Sequence, residues 1–120
     1  MTKDALAIIT PCIGVVIAGI AIVSQAQPKA LTEHECRVMA DAALVARAHA
    51  LSGIAQDRGM LALALIYEFP TDQLAKLASA INVAAYAPAE RRNASDYGVG
   101  LYQSCVAHKG DLTPYLGASM

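Results

Sequence analysis

The chain has 120 residues, is 56% hydrophobic and 16% charged, and carries a net charge of −1. That is enough for one small domain, and it lacks the basic footprint of a nucleic-acid-binding protein. Tryptophan is absent, phenylalanine occurs once and alanine recurs throughout; with no alternation of β-branched residues, this composition predicts an all-α protein.

The expected architecture is an N-terminal apolar (signal or transmembrane) helix followed by a small disulfide-clipped bundle of about four helices. Residues 1–26 form the signal peptide or single transmembrane helix, residues 27–110 the exported helical domain, and residues 111–120 an irregular tail. Residues 5–23 carry no charge, and only Thr10, Pro11, Cys12, Gly14 and Gly19 interrupt their apolar character. At about 1.5 Å rise per residue the run reaches ~28 Å, just enough to span a bilayer core. Gly14 and Ala18 are small residues four apart, a spacing that lets a neighbouring membrane helix approach.

The same run also reads as a secretory signal, because Ser24-Gln25-Ala26 has the small-x-small pattern of a cleavage site. Against that, Lys3 is offset by Asp4, and the apolar core is longer than that of a usual signal. Cys12 lies early in the run, whereas a lipid-modified cysteine follows one. Both readings export residues 27–120. The expected location is therefore the periplasm, free or anchored in the inner membrane through residues 5–23.

In the exported part, Thr32 followed by Glu35 forms a capping-box signature, predicting a helix to about Leu51. Cys36, Met39, Ala43, Ala46 and Ala50 line its apolar side, while Arg37, Asp41, Ala48 and Ser52 line its polar side. Residues 53–59 read as a break. Residues 60–69 are apolar all round except for Glu68, as a helix that is buried or meets a partner would be; Pro70 stops it. Thr71 and Asp72 open the next helix, to about Tyr86, with Leu74, Leu77, Ala78, Ile81 and Ala85 as its buried stripe. Pro88 reads as the first residue of a last helix, ended by Gly110. Ala94, Tyr97, Leu101 and Cys105 form its inner face, and Gly98 and Gly100 imply close packing there.

Cys36 lies early in the first exported helix and Cys105 late in the last, each on a predicted inner face. A bond between them would clip the ends of the domain together; the alternative is two buried thiols on helices that do not meet. In an exported chain the disulfide is the expectation.

Chemistry-bearing residues are sparse. His34-Glu35-Cys36 is followed by Val38 where a zinc-protease helix needs its second histidine, and His49 and His108 are isolated. Gly98-Val99-Gly100 lies within a helical pattern and is no phosphate loop. Asn93-Ala94-Ser95 matches a glycosylation acceptor but falls inside the predicted helix. Arg91 and Arg92, near the start of that helix, oppose its dipole and are candidate contacts for a partner, together with Tyr97 and Tyr102, because tyrosine pairs apolar area with a polar tip. No catalytic residue, cofactor or metal is expected.

Cys36, the alanine-rich helix after it, the Arg58-Gly59-Met60 turn, the Ala84-Ala85-Tyr86-Ala87-Pro88 step and the closing Cys105 together resemble small exported all-helical proteins of proteobacteria and their phages. Those have a signal sequence, one disulfide and no assigned activity. The resemblance spans about residues 33–108, implies a periplasmic helical domain and carries over no catalytic residues. The expected function is that of a non-catalytic cell-envelope protein whose exported domain binds another envelope or membrane protein. The alternative is a single-span accessory subunit of a larger membrane complex.

Overall fold

Thr32 begins the described fold as a capping box: its hydroxyl accepts from the Glu35 backbone N–H at 3.1 Å, and Glu35 accepts from the Thr32 N–H at 2.9 Å. The computed structural model describes residues 29–117. The apolar run of residues 5–23, with Gly14, Ala18 and the candidate cleavage site at Ala26, lies outside them. The described chain is all-helical: α1 (Glu33–Leu51), α2 (Gln56–Tyr67), α3 (Asp72–Ala85), α4 (Ala94–Ala107) and a single turn, α5 (Thr113–Leu116). Among the described residues no helix is long and apolar enough to cross a membrane.

The helix α1 is the shared element. Helices α2, α3 and α4 all pack on it, α2 and α3 pack on each other, and α5 lies against α3 and α4. Alanines make this possible: Ala42, Ala43, Ala46, Ala78 and Ala85 are wholly buried and hold the backbones close. Met39, Leu63, Ile81, Tyr97 and Leu101 fill the space between them. At the α1–α4 crossing, a Cβ on Gly98 would lie 2.9 Å from the Ala40 carbonyl oxygen and 3.1 Å from the Leu44 Cβ. Only glycine allows that approach without a shift.

Cys36 and Cys105 form a disulfide with their Cα atoms 5.8 Å apart. Next to it the two ends of the bundle are joined by backbone, the Leu31 N–H donating to the Gly110 carbonyl at 3.0 Å. Gly110 has φ +90°, and a Cβ there would stand 2.2 Å from the Leu31 oxygen. The chain thus needs glycine at this position for both its conformation and its contact.

Three boundaries differ from those expected. The second helix starts at Gln56 rather than Met60 and includes Gly59. This glycine is a contact rather than a break, since a Cβ would come within 2.7 Å of the Tyr86 hydroxyl oxygen. The last long helix starts at Ala94, not Pro88: Asn93 caps it by accepting from the Asp96 N–H at 2.8 Å. A side-chain cap satisfies a donor that proline at the first position merely lacks. The segment after Asp111, expected to be irregular, contains the α5 turn and buries Leu112 and Leu116.

Candidate functional site

The four proposed contact residues lead first to the loop between α3 and α4. Arg92 lies before the helix, so it does not oppose a dipole. Its guanidinium grips Glu90 twice, Nη2 to Oε1 at 2.7 Å and Nε to Oε2 at 2.8 Å. Its Nη1 donates to the Tyr115 hydroxyl, and its Cζ sits 4.9 Å from the centre of the Tyr115 ring and 5.3 Å from that of Tyr97. The hydrogen bonds from Arg92 push the Glu90 carboxyl down to about 2.

Tyr97 is no surface contact: it is 0% exposed, and its hydroxyl donates to the Ile81 carbonyl at 2.8 Å. Burial pushes its phenol above the ordinary range. The ring faces inward, on the side of α4 that also carries Leu101 and Cys105, and bridges α4 to α3. Tyr102 is half-buried and donates to Glu33 on α1 at 3.0 Å. Arg91 stays exposed, with one bond of 3.5 Å to the Pro88 carbonyl. Of the four, then, two arginines are neighbours in one loop, Tyr97 is core and Tyr102 ties two helices together.

Arg47, which no sequence motif marks, organises this loop. It is buried on α1, and its three nitrogens donate to three carbonyls: Nε to Arg92 at 2.7 Å, Nη1 to Ala85 at 2.7 Å and Nη2 to Glu90 at 3.1 Å. The Glu90 carboxylate supplies the countercharge nearby. One signal was available: Arg47 falls four residues after Ala43, on the stripe that the other small residues bury. This cluster is a structural clasp, with its donors and acceptors turned on one another.

Among the described residues no group of three or more His, Cys, Asp or Glu side chains is placed to hold a metal ion. His108 is held locally, its Nδ1 2.8 Å from the Ser104 carbonyl oxygen. A shallow groove of about 790 Å³ runs between α1 and α4, floored by Ala40 and Gly98 and walled by Leu44, Val99 and Tyr102. A smaller one of about 420 Å³ lies between α2 and α3. There Asn82 is buried, and its amide nitrogen donates to the Gln56 carbonyl at 3.1 Å.

The feature that the fold leaves unmatched is the outer side of α2. One side of the helix is anchored: Leu63 is wholly buried, Gly59 meets Tyr86, and the Tyr67 hydroxyl donates to Asp41. Burial, and then that carboxylate, push the Tyr67 phenol up. The opposite side consists of Leu61 (61% exposed) and Leu65 (70%), flanked by Ile66 (58%). Leu61 and Leu65 are four residues apart and so lie one above the other on the helix.

No family model matches the chain, and no curated protein or solved structure is significantly similar to it.

Proposed function

We propose that this is a non-catalytic cell-envelope protein whose exported helical domain binds another protein through the outer face of α2. The observation that carries this reading is the exposure of Leu61, Leu65 and Ile66 on a helix whose other side is already packed. Scattered surface leucines need no explanation, but large apolar side chains at helical spacing on one face are the usual anchors of helix-mediated recognition. The exported location rests on the apolar run of residues 5–23 and agrees with the Cys36–Cys105 disulfide.

The second reading, a single-span subunit of a membrane complex, draws on the position of Lys29. Its backbone N–H donates to the Gln73 side chain at 3.2 Å, and its carbonyl accepts from the same amide. Only residues 24–28 separate this fixed point from the apolar run, six steps of the chain that reach at most about 22 Å. If residues 5–23 remain in the bilayer, the domain is held close to the membrane surface.

Two measurements test these readings. The intact mass of the protein from its host separates them: a chain beginning at Gln27 is free in the periplasm, and a full-length chain is anchored. A photo-crosslinking residue at position 65 in the full chain should give a discrete protein adduct, and one at Val106, exposed on α4, should not. No adduct from positions 61, 65 or 66 would refute binding through α2.

A further inference from the structure

The outer stripe of α2 has a symmetry of its own. Arg58, Leu61 and Leu65 follow one another at i, i+3 and i+7 along α2, the spacing of a helix–helix seam, and Glu68, in the left-handed conformation (φ 46°), closes its C-terminal end. All four are exposed. The stripe is a palindrome in type about position 63: a leucine faces a leucine across that centre, and an arginine faces a glutamate. Leu63 itself points the other way, into the core.

Two copies of such a stripe laid antiparallel about a two-fold axis at position 63 bring Leu61 against Leu65 of the second copy. The same operation brings Arg58, in the first turn, to the C-terminal end of the second copy's helix, where Glu68 caps it, and by symmetry each contact occurs twice. An isologous interface requires this self-complementarity. A parallel pairing would set arginine on arginine and glutamate on glutamate. The antiparallel arrangement also opposes the two helix dipoles.

The charges at both ends of the stripe are available. Among the described residues the ion pairs are Arg37–Glu33 and Arg92–Glu90, and neither Arg58 nor Glu68 takes part in one. Asp57, beside Arg58, is used within its own helix, its Oδ1 accepting the Arg58 backbone N–H at 2.8 Å.

We infer that the occupant of the α2 face is a second copy of this chain, packed antiparallel through Leu61 and Leu65 with Arg58–Glu68 pairs at both ends. This rests on the reading of α2 as a protein-binding surface and names its partner. Anchoring both copies in one membrane would raise their effective concentration and favour so small a seam.

The test uses the full chain, with Cys12 replaced by Ser, expressed in its envelope. Leu61→Cys and Leu65→Cys are introduced singly and then co-expressed as separate copies; both positions are exposed, so the fold is left alone. Mild oxidation followed by a non-reducing gel reads the result. The antiparallel pair gives a doubled-mass band from the mixed copies that exceeds either single variant by about fivefold, because position 61 then faces position 65.

Arg58→Glu should weaken that band by about fivefold, and adding Glu68→Arg in the same chain should restore it. Strong bands from each single variant with none gained on mixing would mean a parallel pairing and overturn the inference. Adducts with a different protein would overturn the second copy as occupant while leaving the binding surface intact. No adduct of any kind would refute both.

Discussion

The Nε of Arg47 donates to the main-chain carbonyl of Arg92 at 2.7 Å, while the side chain of Arg92 is committed to Glu90. One arginine thus holds the backbone of another, and the loop joining α3 to α4 is fixed from inside and outside at once. The inner grip is a planar fork that matches three carbonyls. The outer grip is an ion pair stacked over two tyrosines.

Replacing Arg47 with Met should therefore destabilise the domain by about 3 kcal/mol, since buried carbonyls lose their donors. Arg47→Lys should recover less than half of that, because an ammonium cannot reach three divergent acceptors. Urea midpoints of the three proteins check this. A lysine variant as stable as the parent would contradict the fork geometry.

Glu90 makes the clasp acid-sensitive. Its folded value of about 2 lies below the ordinary 4.5, so its contribution is present above about pH 4.5 and is lost as pH falls towards 2. Arg92 is 42% exposed, which screens the pair, so the contribution is about 2 kcal/mol at most. The urea midpoint should fall between pH 5 and pH 2.5, and Glu90→Gln should be less stable at pH 5 but lose less over that interval. Equal slopes for the two proteins would assign the acid sensitivity elsewhere.

The disulfide closes a separation of 69 residues between helices that already touch. Chain-entropy arguments give about 4 kcal/mol for such a closure. A Cys36→Ala, Cys105→Ala variant should melt well below the parent, by tens of degrees in a domain this small. A shift of only a few degrees would mean that the α1–α4 contact holds the ends together without the bond.

Gly110 and Gly53 form a matched pair for substitution. Both have positive φ, +90° and +80°, but a Cβ at Gly110 strikes Leu31 whereas one at Gly53 meets nothing within 4 Å. Gly53→Ala should cost about 1 kcal/mol, the conformational penalty alone. Gly110→Ala should cost considerably more, because the Leu31–Gly110 hydrogen bond must open. Thermal melts of both variants separate conformation from contact.

Much of the fold was legible because local signals agreed with burial. The capping box at Thr32 and the stripe of Leu74, Leu77, Ala78, Ile81 and Ala85 appear in the structure as read. Boundaries failed where a distant residue decided them. Gly59 reads as a helix breaker until Tyr86 lies against it, and Pro88 reads as a helix start until Arg47 draws the surrounding carbonyls inward. Of the candidate contacts, Tyr97 leaves the surface for the same reason. Tyr97 is amphipathic in any sequence, and its partner, the Ile81 carbonyl, becomes visible only once α3 and α4 are set on α1.

The sequence by itself determined the all-helical class, the four long helices and the inward side on which each cysteine lies, because helical periodicity and propensity act within a few residues. Tertiary structure alone decided that Cys36 and Cys105 meet, that Arg47 closes the loop, and that α2 buries Leu63 while leaving Leu61 and Leu65 outside. A helix that is apolar all round carries no periodic signal for which side faces the core, so its orientation has to come from the surfaces it packs against.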